Sequence, residues 1–405
     1  MTTNIAIITP FYPIKHRNDL FEDTKAVHYL IKEFPEQTNT LIIHTFMHGF
    51  RHAWKKVKEL VPLSGEYEDY LHRDDYNNQV LFFEYPLLLP KSLKVPSYLN
   101  KKYARRVMDF YDDSGNQPDV AVIHFPTYYV EFLKQLNPII PKSIAIIHSF
   151  DIKNIKKRMD IGFWNDFFSN FDSIGFRSYP IKKEFENYLG KKKNTFMCLS
   201  GIPEQYLNSE INDSVYPMSK HINLLYAGRL DQNKNVEKTI NVLNRIKTEV
   251  AFKFTVVGDG VERKRLEQLA LDFNLREEIN FTGSVSRDKT FELMKYSDIF
   301  IMISKKETLG LVYLEAMSAG CIVIGTRGQG IDGIVINGEN GFLTSSSDEE
   351  EIYETIKYVM TLSGEEQKRI RKNAKDTVSS LSDRAVSKTY YSNICSVIQG
   401  EAVNE

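Results

Sequence analysis

Two glutamates eight positions apart, Glu307 and Glu315, are the first candidates for chemistry in this sequence. They lie in the segment SKKETLGLVYLEAMSAG, which follows an apolar run typical of a buried strand. The pattern predicts a helix that starts near Thr308 to Gly310, with one carboxylate on the turn and the other about two turns into the helix. Carboxylates accept paired hydrogen bonds from neighbouring hydroxyls, which a sugar and a ribose both offer. The spacing therefore predicts a ligand with hydroxyls in two places.

The start of this predicted helix is also a candidate anion site. The first N–H groups of a helix have no partner inside the helix and lie at the positive end of its dipole. A phosphate can bind such groups without any side chain. The amides in question belong to Leu309, Gly310 and Leu311.

A purely structural role for the two glutamates is the alternative. Glu307 would then cap the helix, and Glu315 would be a solvent-exposed helix residue. However, Glu315 is flanked by LVYL and AMSAG, which are apolar on nearly all sides. A carboxylate in such surroundings is costly unless it has partners, so we favour the ligand-binding hypothesis.

A second candidate is the cation pair Arg229 and Lys234 in the segment YAGRLDQNKN. Both follow a predicted strand and precede a predicted helix. Arginine offers a planar fork to phosphate oxygens, and lysine offers a mobile point charge. The pair suits a diphosphate, although two cations on a solvated surface loop would look the same in sequence.

The segment VVGDGVERKRLEQLA follows another predicted strand and contains Gly258 and Gly260. It lacks the full dinucleotide fingerprint because Arg263 occupies the position of the third glycine. Glycines here predict a tight turn that passes close to a neighbouring loop or ligand.

The elements that must position these residues are short strands that alternate with helical patterns, which is typical of βαβ units and parallel sheets. Their Ile, Val and Phe content predicts burial on both faces. We predict strands at 4–10, 40–46, 79–85, 119–125, 143–149, 173–178, 195–200, 221–228, 251–258, 278–283, 298–304, 321–326 and 340–344.

Length and composition are those of an ordinary globular protein with two domains. The chain has 405 residues, a formal net charge of −1 and three cysteines. These values give no indication of nucleic-acid binding, of a disulfide framework or of a thiolate metal site. No apolar run approaches the length of a membrane-spanning helix. We expect domains at 1–205 and 206–382, a C-terminal helix at 383–405 that packs back toward the first domain, and a cytoplasmic location.

Residues 51–106 interrupt the alternation with a mixture of aromatic, apolar, proline and basic residues. One interpretation is an irregular insert that packs on the first domain. The other is a surface for an acceptor or an anionic membrane, since basic residues beside Trp, Tyr and Leu suit such an interface. Peripheral contact with the inner face of the cell membrane belongs to this second interpretation.

Taken together, the motifs resemble those of retaining glycosyltransferases of family 4. The resemblance rests on ETLGLVYLEAMSAGCIVIGT, LLYAGRLDQNKN, FTVVGDGVERKRLEQLA, INFTGSVSRDKTFELMKYSDIFIMIS and GIVINGENGFL, which cover nearly all of residues 221–344. It implies the α/β GT-B fold, in which two doubly wound Rossmann-like domains face each other across a cleft. It also implies a nucleotide-sugar substrate and no metal or other cofactor. No Asp-x-Asp pair at a predicted strand end suggests a metal.

The resemblance implies roles for residues of the second domain. Arg229 and Lys234 would bind the donor diphosphate and stabilise the leaving nucleotide. Glu307 would contact the donor sugar, and Glu315 would bind the ribose hydroxyls. The remaining donor-site residues are the amides of Thr308, Leu309, Gly310 and Leu311 at the sugar and distal phosphate, and Gly283, Ser284 and Val285 beside the base.

In the first domain the resemblance implies a histidine at a strand end, close to the transferred sugar. His148 in IAIIHSFD fits this position, with Asp151 three residues later. His124 in VIHFP is a competing candidate. For both, a buried structural histidine is the alternative.

The first loop departs from the family pattern because TPFYPIKHRNDLFEDTKAVHYL contains no glycine. Family members commonly place a glycine pair there, where the backbone approaches the phosphate or the acceptor. Side-chain charge from Lys15, His16 or Arg17 would have to substitute for that approach.

The resulting hypothesis is a retaining, metal-independent hexosyltransferase that uses a nucleoside diphosphate sugar, with UDP the most frequent base in the family. The acceptor would be a saccharide, a lipid-linked glycan, a polymer or a protein, in bacterial cell-surface glycan synthesis. A nucleotide-sugar epimerase or a phosphorylase on the same fold and a non-catalytic partner subunit are the alternatives. The retained charged residues argue against the non-catalytic partner.

Overall fold

The computed structural model describes residues 2–12, 26–49, 71–73, 78–87, 97–136, 140–208 and 221–403. Three predicted acceptor-side residues, Lys15, His16 and Arg17, lie outside these ranges, as does much of the predicted insert at 51–106. The hypotheses about them stay predictions.

The chain divides into two compact units. Unit 1 comprises Met1–Arg177, Ile181–Cys198 and Ser387–Glu405. Unit 2 comprises Ser178–Pro180 and Leu199–Val386. Most of the C-terminal helix therefore belongs to the unit that also contains the N-terminus.

Unit 1 contains an eight-stranded sheet with the order β3-β4-β2-β1-β5-β6-β7-β8. All neighbouring strands pair in parallel except β3, which is antiparallel to β4. The strands are β1 (Thr3–Thr9), β2 (Thr38–Gly49), β3 (Leu71–Arg73), β4 (Gln79–Leu87), β5 (Val120–His124), β6 (Ser143–Ile147), β7 (Ser173–Phe176) and β8 (Thr195–Met197).

Helices cover both faces of this sheet, as two separate clusters of buried residues show. The described helices are α1 (Ala26–Ile31), α2 (Ser97–Ser114), α3 (Val130–Leu136), α4 (Ser149–Arg158), α5 (Ile161–Ser169) and α6 (Tyr179–Leu189), with a 3-10 turn at Pro126–Tyr128.

Unit 2 contains a six-stranded, fully parallel sheet with the order β11-β10-β9-β12-β13-β14. The strands are β9 (His221–Ala227), β10 (Ala251–Val257), β11 (Ile279–Gly283), β12 (Ile299–Ile301), β13 (Ile322–Thr326) and β14 (Phe342–Thr344).

The helices that follow β8 complete the fold. They are α7 (Glu204–Leu207), α8 (Val236–Ile246), α9 (Arg263–Asp272), α10 (Arg287–Lys295), α11 (Leu311–Ser318), α12 (Glu349–Met360), α13 (Gly364–Ser379) and α14 (Asp383–Gln399). From Ser387 onward α14 lies in unit 1, where Tyr390, Ile394 and Val397 join the cluster of buried residues around β1 and β5.

The predicted α/β class with two doubly wound sheets is confirmed. Each of the thirteen predicted strands has a counterpart within a few residues. The central strands are buried along their whole length, as in the burial of Val120–His124 and Ile322–Thr326. Because the carboxyl ends of parallel strands meet at one edge of a sheet, each unit brings its strand-end residues together there.

Candidate functional site

The helix α11 begins one residue after the predicted range, at Leu311, with Gly310 as its N-cap. Gly310 adopts a left-handed conformation with φ of 78°. A Cβ added there would lie 2.7 Å from the ring of Tyr313, so the position accepts only glycine without displacing that ring. The glycine therefore shapes the turn that presents the first amides of α11.

Glu307 and Lys234, which the sequence placed in two separate motifs, form one ion pair. Lys234 Nζ donates to Glu307 Oε2 at 2.5 Å. Both side chains are mostly buried, with 19% and 16% of their surfaces exposed. The other oxygen of Glu307 accepts from the backbone N–H of Thr308 at 3.2 Å. The pair therefore lies directly against the start of α11.

Backbone and side-chain hydrogen bonds fix the two loops that carry this ion pair. The N–H of Lys305 donates to the carbonyl of Asn233 at 2.8 Å, and the side-chain amide of Asn233 donates to the carbonyl of Lys306 at 2.9 Å. Asp231 accepts from the N–H of Lys234 at 3.1 Å and from that of Asn233 at 2.9 Å. The position of Lys234 is thus set by the fold rather than by its charge partner alone.

The Gly258–Gly260 turn packs against the loop that carries Arg229. A Cβ on Gly258 would lie 1.9 Å from the carbonyl oxygen of Gly228, and one on Gly260 would lie 2.2 Å from that of Leu230. The N–H of Leu230 donates to the carbonyl of Asp259 at 2.8 Å. The two glycines therefore allow this turn to lie close to the neighbouring loop, as the sequence predicted.

Arg229 itself is exposed, and its backbone carbonyl accepts from the hydroxyl of Tyr226 at 2.8 Å. Burial raises the pKa of Tyr226 well above its ordinary value, with the carboxylates of Asp231 and Glu307 adding to the effect. Tyr226 therefore stays protonated and holds the loop as a hydrogen-bond donor.

Glu315 is buried, with 5% of its surface exposed, so a solvent-exposed role for it is wrong. Its partner is Arg287, which the sequence reasoning missed. Arg287 donates from Nε at 2.7 Å and from Nη2 at 2.6 Å to the same oxygen, Oε1. Burial raises the pKa of Glu315, and Arg287 opposes this shift.

Arg287 is positioned by the local sequence at the start of α10. The helix is capped by Ser286, whose hydroxyl accepts from the N–H of Lys289 at 3.2 Å. The guanidinium lies 5.6 Å from the centroid of the Tyr206 ring, which stacks on Phe291. The apolar residues around Glu315 predicted that its carboxylate needs a partner, but the sequence did not show which arginine that partner is.

The predicted base-side turn begins where β11 ends. Gly283 has a φ of 74°, and its carbonyl accepts from the N–H of Gly258 at 2.9 Å. Ser284 and Val285 are both exposed. The donor-site candidates thus follow β9, β11 and β12 and lie at one edge of the unit 2 sheet.

In unit 1 the two competing histidines form a hydrogen-bonded pair. His124 Nδ1 and His148 Nε2 are 3.1 Å apart, and His124 Nε2 is 3.0 Å from the hydroxyl of Tyr390 on α14. The ring of His148 also stacks on Phe125, with 3.6 Å between centroids. Burial lowers the pKa of both histidines, so both rings are neutral at neutral pH.

Asp151 lies inside the first turn of α4 and is fully buried. It accepts from the backbone N–H of His148 at 2.8 Å and from the N–H and hydroxyl of Thr127 at 3.1 and 2.6 Å. Burial raises its pKa to about 7 against the opposing effect of these bonds. Its contacts fix the backbone that carries His148.

Two kinds of feature are absent from the part of the chain that the structure describes. No group of three or more His, Cys, Asp or Glu side chains there could hold a metal ion. Within the same residues, every helix is too short or too polar to cross a bilayer.

Comparison with known proteins finds that part of the chain is similar to glycosyltransferases. Residues 210–377 match the family described as glycosyl transferases group 1. Over 125 residues the chain is 34% identical to N-acetyl-alpha-D-glucosaminyl L-malate synthase of Bacillus anthracis, a match that covers 31% of this chain and 32% of that protein. It is 34% identical over 132 residues to sulfoquinovosyl transferase SQD2 of Arabidopsis thaliana, covering 32% of this chain and 24% of that protein. The chain thus spans a third or less of the length of these relatives.

Solved structures resemble nearly the whole chain. Sucrose-phosphate synthase from Thermosynechococcus elongatus matches with a TM-score of 0.71 and 15% identity, covering 98% of this chain and 100% of that one. Anabaena HepE in complex with UDP and glucose matches with a TM-score of 0.65 and 16% identity, covering 97% and 100%. These likenesses confirm the predicted GT-B fold.

Proposed function

We propose that this chain, whose residues 210–377 carry the glycosyl transferases group 1 segment, transfers a sugar from a nucleoside diphosphate sugar to an acceptor. The observation that carries the proposal is one sheet edge in unit 2. There the Lys234–Glu307 ion pair, the start of α11 and the Glu315–Arg287 pair lie in the loops and helices that follow β9, β11 and β12. Cations and helix amides suit a diphosphate, and the two carboxylates suit the hydroxyls of the sugar and the ribose on either side of it.

The diphosphate is proposed to bind Arg229, Lys234 and the amides of Thr308, Leu309, Gly310 and Leu311. Negative charge grows on it as the bond to the sugar breaks. Cations and helix amides fixed in advance stabilise that charge more in the transition state than in the ground state. The hydrogen bonds of Asn233 and Asp231 hold Lys234 ready for this role.

Glu307 is proposed to bind hydroxyls of the transferred sugar. Its carboxylate balances the charge of Lys234 in a mostly buried place. A diphosphate would supply a second set of negative oxygens to Lys234. Glu307 could then accept from sugar hydroxyls without leaving the lysine unpaired.

Glu315 is proposed to accept hydrogen bonds from the ribose. The contacts of Arg287 at 2.7 and 2.6 Å are both to Oε1, and the hydroxyls are proposed to bind at Oε2. Arg287 also opposes the rise in pKa that burial causes and so favours the ionised, acceptor form. Gly283, Ser284 and Val285 are proposed to lie beside the base.

His148 is proposed to contact the transferred sugar, as the resemblance implies. Its ring is neutral, so it would contribute a hydrogen bond rather than a charge. Its position depends on Phe125, His124 and, through the backbone, Asp151. We assign His124 and Asp151 to positioning this residue.

The finer features of the reaction are also part of the proposal. They are retention of anomeric configuration, no requirement for a metal, and a UDP-sugar donor, for which the HepE complex with UDP gives support. The acceptor is a saccharide, a lipid-linked glycan, a polymer or a protein, and the setting is bacterial cell-surface glycan synthesis. The location would be cytoplasmic or at the inner face of the membrane.

The test is turnover with UDP-, GDP- and ADP-sugars, with and without a chelator and a panel of saccharide and lipid-linked acceptors. Release of one nucleoside diphosphate with formation of a glycosidic product of retained configuration is expected. Isomerised donor without any acceptor would instead identify an epimerase. Nucleotide binding without turnover of any donor would identify a non-catalytic partner.

A further inference from the structure

The connection between α4 and α5 in unit 1 presents two apolar side chains to solvent. Met159 is 79% exposed and Ile161 is 49% exposed, and every residue from 156 to 162 is exposed. Single exposed apolar residues are ordinary on protein surfaces. Two of them within three residues, at the outermost point of a helix–helix connection, are less so.

This connection is rigidly built. Met159 caps α4 in a left-handed conformation with φ of 52°, and Asp160 caps α5 by accepting from the N–H of Phe163 at 2.9 Å. The guanidinium of Arg158 lies 3.2 Å from the centroid of the Phe163 ring. The two caps therefore fix the backbone that carries the exposed pair.

Cations surround the apolar pair. Lys153, Lys156, Lys157 and Arg158 occupy the exposed side of α4. We call residues 153–162 the basic tip. Acidic side chains face two of these cations, since Lys156 pairs with Glu184 on α6 and Arg158 lies 4.0 Å from Asp160. Lys192 adds a further cation, because its Nζ donates to the neutral side chain of Asn165 on α5 at 2.6 Å.

The charge of this region contrasts with that of the whole chain. Residues 153–193 contain ten Lys or Arg and five Asp or Glu, whereas the 405-residue chain has a formal net charge of −1. The remainder of the chain is therefore acidic. Positive charge concentrated around an exposed apolar pair is the composition expected of a surface that meets anionic lipid headgroups.

We propose that the basic tip docks unit 1 onto an anionic lipid bilayer, with Met159 and Ile161 in the headgroup–acyl boundary and the lysines among the headgroups. A nucleic acid would also attract the cations. A nucleic acid would bind no more tightly for the exposed aliphatic pair, whereas burial of the pair in a bilayer is favourable. This proposal does not depend on the proposed transferase activity.

The test is co-sedimentation of the full chain with vesicles of phosphatidylcholine alone and of an equal mixture of phosphatidylcholine and phosphatidylglycerol. Binding only to the anionic vesicles is expected. It should weaken as ionic strength rises toward about 1 M, where the screening length falls to ~3 Å. The double variant Met159→Asn, Ile161→Ser should bind at least about tenfold more weakly at low salt, a change of about 1.4 kcal/mol.

Matched variants separate the tip from surface chemistry in general. Asparagine tolerates the left-handed position of Met159, so that change should leave the fold intact. The control is Val261→Ser, which removes an 88% exposed apolar side chain from unit 2 and should leave vesicle binding unchanged. Lys153→Gln, Lys157→Gln should also weaken binding, whereas Lys372→Gln in unit 2 should not.

Three results would overturn the proposal. The first is that the folded double variant of Met159 and Ile161 binds anionic vesicles as tightly as the unchanged chain does. The second is that the unchanged chain binds neutral and anionic vesicles equally. The third is that it binds no vesicles at all. Binding of single-stranded RNA with the same dependence on Lys153 and Lys157, but not on Met159 and Ile161, would assign the surface to nucleic acid instead. Circular dichroism and thermal melts of every variant establish that each is folded.

Discussion

Arg287 donates from two of its nitrogens to one oxygen of Glu315, Oε1, at 2.7 and 2.6 Å. The carboxylate is buried, and the arginine is partly exposed. The arginine fixes the orientation of the carboxylate and opposes the rise in its pKa that burial causes. We expect the pair to set the affinity for the nucleotide part of the donor.

Arg287→Gln should therefore weaken UDP binding by tenfold or more. A hydrogen bond to a charged group contributes about 1.5–3 kcal/mol, and the loss would also leave Glu315 buried without its partner. Isothermal titration measures the change. Arg265→Gln, which removes a surface arginine paired with Glu237 and Glu262, is the control and should bind UDP normally. Equal affinities for the two variants would argue against the assigned role.

The affinity for UDP should fall as pH falls, because Glu315 must be ionised to accept two hydroxyl hydrogen bonds. Burial raises the pKa of this group above the ordinary 4.5, so the loss begins at a higher pH than for an exposed glutamate. Titration of the nucleotide itself adds a background. Glu315→Gln should bind weakly and retain only that background when dissociation constants are measured across the acidic range. If the UDP affinity of Glu315→Gln depended on pH in the same way as that of the unchanged chain, this prediction would be contradicted.

Lys234→Met should lower kcat by about 10²–10³, the usual effect of losing one group that stabilises developing negative charge. The substrate KM should change less, because Arg229 and the amides of α11 remain. Lys238→Met, four positions later and bonded to the carbonyl of Ser347, is the control. Steady-state kinetics with the best donor provide the measurement. A large rise in KM at constant kcat would show instead that Lys234 binds donor and transition state equally.

Gly310→Ala should reduce both stability and UDP affinity. The change forces alanine into a left-handed conformation, which costs about 1–2 kcal/mol, and places a Cβ 2.7 Å from Tyr313. Gly338 has nearly the same φ, 79°, with no atom within 4 Å of an added Cβ. Gly338→Ala should thus share the conformational cost but keep normal UDP binding. Thermal melts and titration of both variants separate the two effects, and unchanged UDP binding in Gly310→Ala would refute the anion site at α11.

Tyr390→Phe should lower kcat and alter the pH profile, because it removes the hydroxyl 3.0 Å from His124 and so loosens the pair with His148. Tyr391→Phe is the neighbouring control, since its hydroxyl is 3.5 Å from that of Thr3. A purely structural role for Tyr390 would lower the melting temperature and leave the pH profile of kcat unchanged.

The strands were predictable because parallel strands buried on both faces leave continuous apolar runs, as in Ile322–Thr326. The three-residue strand Leu71–Arg73 leaves no such signal. The motif residues of unit 2 were predictable as candidates, since each follows a strand end. The ion pairs among them were harder to predict, because Arg287 lies 28 positions from Glu315 and only the tertiary structure brings the two together.

The histidines of unit 1 show the same limit. Both were predicted at strand ends, but His124 and His148 were alternative candidates for the histidine close to the transferred sugar. Their hydrogen bond follows from β5 and β6 being neighbours in the sheet. Tyr390 lies 266 positions from His124 and reaches it because α14 returns to unit 1, which no local pattern reveals.

Thermal stability with UDP, GDP, ADP and CMP, each with and without magnesium, tests the central claim most directly. A ligand at 100 times its dissociation constant that binds only the folded state adds about 2.7 kcal/mol. The account predicts a rise in melting temperature with one nucleoside diphosphate, independent of magnesium and absent in Glu315→Ala. No rise with any nucleotide, or an equal rise in that variant, would contradict a nucleotide-sugar site at the edge of the unit 2 sheet.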